Sequence, residues 1–333
     1  MNNLLDKIKA AKLVGRGGAG YPTAAKWEMV KKASGQTKVV ICNASEGELG
    51  VFKDFHILKK FPQDVVKGMV LAMDYLGTKQ AYFNFNKKYY RRIILKLDPI
   101  LKRYEAKGYR FTVYEEKPSY IGGEETALLN AIEGRRIEPR LKPPYPCDAG
   151  LFGKPTLIHN VETLFNVARV AEGKFEPNRF YCLSGPKKLN RVYYLPDSWT
   201  IEQILKKTKR YPRYDFFAQI GGGASGLVIN QKQMETQKMT GAGSLQVFRS
   251  TTDPRQLLLH WFEFYAKESC GKCTPCREGS FQLYELLKRN KRVPWKKMMT
   301  IVEIMGKISF CALGKSIVIP VKSYMKNVLK KRA

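Results

Sequence analysis

The sequence predicts an α/β domain, then a small α+β domain of the β-grasp sort, then a C-terminal helical bundle. Three observations carry this expectation. Strand-like and helix-like segments alternate up to about residue 175, short strand-like pieces surround one helical segment between 176 and 252, and from 253 onward the pattern is helical. The expected domains are therefore 1–175, 176–252 and 253–333.

In the first domain, Leu4, Leu5, Ile8 and Leu13 recur at helical spacing ahead of the glycine-rich GRGGAG at 15–20. KVVIC (38–42) is a continuous apolar run of the kind buried strands show. Val65, Met69, Met73 and Leu76 mark a helix, and QAYFNF from Gln80 a strand. Tyr90, Ile93, Ile94, Leu97 and Leu101 give a second helical face, with a kink expected at Pro99. Residues 109–114 alternate as a strand, and GEETALLNAIEG is helical again. The middle segment holds RFYCLSG, RVYYLP, YDFFAQIGG and SLQVFRS around a helix at 200–207. LLLHWFEFYAK then opens the helical segment, where His260, beside Trp261, Phe264 and Tyr265, is expected to pack.

Forty-four per cent apolar and 12% aromatic residues in 333 exclude a disordered chain. No apolar run approaches the length of a membrane span, and the N-terminus shows no secretory pattern. A soluble, cytoplasmic protein is expected. The net charge of +30 comes from basic stretches at 87–110, 187–213 and 288–332. Charge spread this widely predicts solvated faces and no specific nucleic-acid partner. The C-terminal stretch is the segment expected to meet an acidic partner or a membrane surface, and with no spanning segment, membrane contact is expected to be at most indirect.

Seven cysteines are an odd number, and three fall within seven residues. In a chain without an export signal this points to metal chemistry rather than disulfides. Cys270, Cys273 and Cys276 form a C-x2-C-x2-C run, and Cys311 follows in SFCALGKS. Three thiolates so spaced, plus a distant fourth, suit a [4Fe–4S] cubane. Zinc, which favours two separated pairs or completion by histidine, and inert core cysteines are the alternatives. Cys42 and Cys182 have the context of buried thiols, and Cys147 carries no assignment.

GRGGAG satisfies G-x-G-x-x-G, but a helix precedes it and the first clear strand follows about 20 residues later, so the Rossmann fingerprint fails on context. A backbone without side chains can still approach a phosphate or a flat ring, with Arg16 and Lys26 supplying positive charge. A tight turn without a ligand is the alternative. Two acidic groups stand out. Glu46 and Glu48 follow the KVVIC strand at the end where α/β proteins bind ligands. Glu124 and Glu125 open a helix, where the macrodipole favours carboxylates.

Five segments together resemble the flavoprotein subunit of respiratory NADH dehydrogenase (complex I), a family shared with the NADH-oxidising subunits of NAD-linked hydrogenases and formate dehydrogenases. They are GRGGAGYPTAAKW (15–27), CNASEGELGVFKD (42–54), YIGGEETALLNAIEGRRIEPRLKPPYP (120–146), GLFGKPTLIHNVETLFNV (150–167) and ESCGKCTPCREG (268–279). The resemblance implies FMN held by Gly15, Arg16, Gly17, Gly18, Gly20, Lys26, Asn43, Glu46, Tyr120, Glu124, Asn160 and Thr163. It implies NADH against Tyr21, Glu48, Glu125, Lys142 and Tyr145, and a [4Fe–4S] cluster on Cys270, Cys273, Cys276 and Cys311. It further implies a soluble-ligand-binding β-grasp domain in the middle of the chain. No side chain need act as nucleophile or base, because hydride transfer from NADH to FMN and single-electron transfer to the cluster belong to the cofactors.

The chain departs from the family's usual pattern at Ser45 for Asp, Met29 for an aromatic, His159 for Asn and Gly122 for a small residue that is often Cys. It shows neither a thioredoxin-like [2Fe–2S] domain nor a ferredoxin domain, so a thioredoxin-like [2Fe–2S] subunit and further iron–sulfur subunits are the expected partners. The alternative is a cluster-bearing relay or assembly subunit that has lost nucleotide oxidation.

Overall fold

A computed structural model describes residues 2–35, 37–185 and 190–330. Lys187 and Arg332, which bound two of the basic stretches, lie outside them. The chain forms two compact units, Met1–Gly47 with Phe52–Pro177 and Glu48–Val51 with Asn178–Ala333.

The first unit is built on a parallel sheet of β1 (Val39–Ala44), β2 (Gln80–Asn86), β3 (Arg110–Glu116) and β4 (Thr156–Asn160), in the order β3-β2-β1-β4. Val39, Val40, Ile41 and Cys42 are all buried, because helices cover both faces of a parallel sheet and leave no polar side. Helices Lys53–Lys60 and Pro62–Leu76 lead from β1 to β2, and Lys87–Glu105 leads from β2 to β3. The last of these continues through Pro99, and its buried face is Tyr89, Ile93, Leu97, Ile100 and Leu101. Tyr89 takes the place expected of Tyr90, because it lies four residues before Ile93 and so on the same face.

After β3 the chain returns to the far side of β1 to form β4. The connection therefore reverses between β1 and β4, where Asn43 pairs with Asn160. Such a reversal opens a crevice at the carboxyl ends of the two strands, which is where open α/β sheets bind ligands.

The second unit holds β5 (Asn178–Ser184), β6 (Arg191–Pro196), β7 (Phe216–Gly221), β8 (Leu227–Asn230) and β9 (Ser244–Arg249), in the order β6-β5-β9-β7-β8. β5 and β9 are parallel and the other pairs antiparallel. Helix Ile201–Lys207, started by a Thr200–Gln203 capping box, lays Ile201, Ile204 and Leu205 on Tyr181, Phe216, Ile220 and Leu245. Helices Pro254–Glu268, Thr274–Arg289, Trp295–Ile308, Ala312–Ser316 and Val318–Asn327 follow. The last covers the edge of β8, where Val228 N–H donates to Ser323 Oγ (2.9 Å) and Asn327 Nδ2 donates to the Val228 carbonyl (2.7 Å). Trp261 and Tyr265 are fully buried as the pattern predicts, but His260 is exposed. The buried face of that helix includes Leu257, Leu258, Trp261, Phe262 and Tyr265, and His260 falls outside it. Among the described residues no helix is long and apolar enough to cross a membrane.

Candidate functional site

At the β1–β4 reversal the glycine loop closes on the strand ends. Val14 bridges Pro22, and Gly15 N–H donates to the Tyr21 carbonyl (2.8 Å), so 16–20 is a short excursion between paired ends. Gly18 and Gly20 take φ of 117° and 67°, values that only glycine adopts without strain. Arg16 is buried and its N–H donates to Thr163 Oγ1 (2.9 Å), while a side chain at Gly17 would meet Asn160. Gly15, Arg16, Gly17, Asn160 and Thr163 are thereby brought together, with Gly17 to Gly20 exposed.

On the other side of β1, Asn43 Nδ2 donates to the Gly123 carbonyl (2.9 Å). That bond ties the strand end to the turn Ile121–Gly123, which Tyr120 precedes and Glu124 follows. Glu124 is the N-cap of helix Glu125–Ile132, and its Oε2 accepts from Thr126 and Ala127 N–H. Its other oxygen accepts from Lys142 Nζ (3.0 Å), which also donates to Glu125 Oε1 (2.8 Å), and Lys26 Nζ lies 3.3 Å from Glu125 Oε2. Lys26, Glu124, Glu125 and Lys142 thus alternate in sign in one half-buried cluster. Burial alone would raise Glu125, but Lys26 and Lys142 outweigh it and hold the carboxyl below its ordinary value. Lys142 is raised, its burial offset by hydrogen bonds and charge from Glu125 and Glu124.

Tyr21 and Tyr145 are both about half exposed, and Tyr21 OH donates to the sulfur of Met29, itself exposed. Glu48 belongs to the second unit. There its Oε1 accepts from Ala224 N–H (3.0 Å) and its Oε2 from Ser225 Oγ (2.9 Å).

Glu46 and Asn160 are turned inward. Glu46 accepts from Asp54 and Phe55 N–H (2.7 and 3.1 Å), capping helix Lys53–Lys60, and burial, then the Asp54 charge, raises its carboxyl well above the ordinary range. Asn160 Oδ1 accepts from Lys53 Nζ (3.0 Å) and Glu162 N–H (3.0 Å), and its Nδ2 donates to Asp54 Oδ2 (2.6 Å). Lys53 is 1% exposed and also pairs with Asp54 (2.6 Å) and Glu162 (3.2 Å), so it stays protonated despite burial. This Lys53–Asp54–Glu162 network underlies the strand ends, and sequence reasoning does not find it. Its one trace there is FKD at 52–54, inside a segment that stands out for other residues.

The departures have structural partners. His159 is buried and its Nε2 accepts from Trp27 Nε1 (2.8 Å). Burial, aided by Lys26, drives its pKa down to about 3, so the ring is neutral. Ser45 and Gly122 meet at one carboxylate: Ser45 Oγ donates to Glu116 Oε2 (2.6 Å), and a Cβ at Gly122 would lie 1.3 Å from Glu116 Oε1.

The cysteines converge in the second unit. Helix Pro254–Glu268 stops at Ser269, Gly271 turns the chain at φ 79°, and Cys273 is the N-cap of Thr274–Arg289, with Cys276 buried in its first turn. Cys311 is the N-cap of Ala312–Ser316, and a Cβ at Gly314 would come within 3.1 Å of Cys276 Cβ. Phe310 N–H donates to Cys273 Sγ (3.4 Å), Ser269 Oγ lies 3.5 Å from Cys276 Sγ, and the Leu313 and Gly314 amides point at Cys311. Burial pushes the Cys276 thiol up to about 11, and Cys273, Cys311 and Cys270 add to the rise. Among the described residues no group of three or more such side chains is placed to hold a metal ion. Cys42, Cys147 and Cys182 are buried.

A family model described as the Nuo51 FMN-binding domain matches residues 8–169, and one described as the NADH-ubiquinone oxidoreductase-F iron-sulfur binding region matches 256–331. The F 2 subunit of NADH-quinone oxidoreductase from Rhizobium meliloti is 33% identical, covering 98% of this chain and 87% of the relative. The F subunit of the same enzyme from Streptomyces coelicolor is 31% identical, covering 98% and 81%. A chain of an NAD+-reducing [NiFe]-hydrogenase in its H2-reduced state superposes with a TM-score of 0.90 at 28% identity, covering 98% of this chain and 61% of that one. The present chain thus spans less than two thirds of that hydrogenase chain. With relatives of this identity aligned along almost its whole length, the chain belongs to the family of NADH-quinone oxidoreductase F subunits, and the regions matched are an FMN-binding domain and an iron–sulfur binding region.

Proposed function

We propose that the chain oxidises NADH at bound FMN and passes the electrons singly through one [4Fe–4S] cluster to a partner iron–sulfur subunit. The observation that carries this is the pairing, in one chain, of a charge-balanced crevice at a sheet reversal with a four-cysteine cage. The crevice fits FMN: a glycine-rich loop with Arg16 in it suits a phosphate, and the strand ends offer amide and carboxylate partners. The cage fits a cubane by its donor set and by the amides aimed at its sulfurs. FMN supplies the conversion of a two-electron hydride donor into single electrons.

On this reading the loop at 15–20, Lys26, Asn43, Tyr120, Glu124 and Thr163 hold FMN. Glu46 and Asn160, whose polar atoms are taken up behind the strand ends, keep those ends in place. Tyr21 and Tyr145 offer flat apolar faces to the nucleotide, and Glu125 and Lys142 offer it hydrogen bonds. Lys142 and Lys26 keep Glu125 ionised, ready to accept from ribose or carboxamide donors. We read 176–252 as a β-grasp domain and 253–333 as a helical bundle carrying the cluster. The partner is expected to be a thioredoxin-like [2Fe–2S] subunit or another iron–sulfur subunit docked near Cys311, at the cytoplasmic face of a membrane complex. The intact Lys26–Glu125–Lys142 set speaks against a relay subunit without nucleotide oxidation.

The test is NADH affinity in the flavin-loaded chain. Glu125→Ala and Lys142→Ala each remove charged hydrogen bonds and are expected to weaken binding about tenfold or more. Wild-type affinity in both variants would refute the nucleotide site.

A further inference from the structure

Glu116 ends β3 with its side chain wholly buried. Its Oε2 accepts from Ser45 Oγ (2.6 Å) and Asn84 Nδ2 (2.8 Å), and its Oε1 accepts from Ser119 Oγ (3.1 Å). The Ser119 hydroxyl in turn accepts from Gly122 N–H (3.1 Å). The turn Ile121–Gly123 closes over this carboxylate only because Gly122 has no side chain, since a Cβ there would lie 1.3 Å from Oε1. Three donors converge on this one carboxyl. The donors also sit on the segments assigned to the flavin. Ser45 N–H donates to Asn43 Oδ1, Asn43 holds the Gly123 carbonyl, Ser119 precedes Tyr120, and Gly122 and Gly123 lead into Glu124.

We propose that Glu116 is a buried fixed charge that lowers the reduction potential of the flavin held by these segments, acting through Ser45 and the 119–123 turn as a positioning and electrostatic residue. This rests on the reading that FMN binds at the strand ends. Two-electron reduction makes FMN more negative, and a buried carboxylate in a medium of low dielectric constant opposes that gain. The sign of the effect follows: Glu116 weakens binding of reduced FMN relative to oxidised FMN.

The experiment is an anaerobic spectroelectrochemical titration of the flavin in the purified full chain, with FMN quantified beforehand. Glu116→Gln removes the charge, and its amide oxygen can still accept from Ser45 and Asn84. The expected result is a potential raised by about 30 mV or more, a tenfold change in the ratio of reduced to oxidised FMN affinity for a two-electron couple. The double variant Ser45→Asp with Glu116→Gln moves the charge across the same hydrogen bond and is expected to bring the potential back toward wild type. A Glu116→Gln chain that keeps FMN at an unchanged potential overturns the proposal. So does a folded Glu116→Gln chain that loses FMN, which would make Glu116 a brace and nothing more. A wild-type chain that takes up no FMN would instead sink the underlying reading.

Discussion

Two buried side chains show how single residues hold the crevice. His159 can accept from Trp27 only while its Nε2 is unprotonated, and burial holds its pKa down at about 3 against about 6.5 in an unfolded chain. Between those values the unfolded state binds the proton and the folded state does not. Stability from this residue is therefore complete above about pH 6.5 and falls as the pH drops toward 3, with a slope of at most about 1.4 kcal/mol per pH unit. Urea denaturation across that range should show the slope in the wild type and a shallower one in His159→Gln. Equal slopes would place the histidine's proton elsewhere. Lys53 is the second case. Lys53→Met leaves the Asp54 and Glu162 carboxylates without their buried cation and should cost about 3–5 kcal/mol in the same measurement. Neither role is legible in the sequence. His159 stands out there only as a departure from a pattern, and Lys53 meets Glu162 across more than a hundred residues of chain.

At the scale of elements, what the sequence discloses is local. The cysteine spacing declares itself within seven residues, and the helix start at Glu124 lies where a carboxylate-led segment announces it. Glu46 and Asn160 do lie at strand ends, but a linear pattern does not say whether a side chain there faces the crevice or the network beneath it. Glu116 escapes notice because the strand pattern stops at Tyr114, two residues before the end of β3. Tyr90 and Tyr89 differ by one residue, and only the packed helix decides between them. One consequence belongs to this scale. Cys311 comes from a different helix start than the other three cysteines, in a unit separate from the glycine loop. Cys311→Ala should cut iron content sharply while FMN content holds, and colorimetric iron with flavin fluorescence on one sample checks it. Simultaneous loss of both would mean that cluster and flavin domain fold as one.

For the molecule as a whole, a flavin crevice and an iron–sulfur cage in one chain make sense only as consecutive stations for electrons. NADH gives two at once, a cubane takes one, and FMN between them reconciles the counts. The charge of +30 speaks to association rather than to this chemistry. The most direct measurement is an anaerobic absorbance titration of the purified chain with NADH, with FMN and iron quantified on the same sample. Near-stoichiometric bleaching of the flavin band, with iron present, is the result expected. Bound flavin that NADH leaves oxidised, or iron without any flavin after reconstitution with FMN, would contradict the assignment.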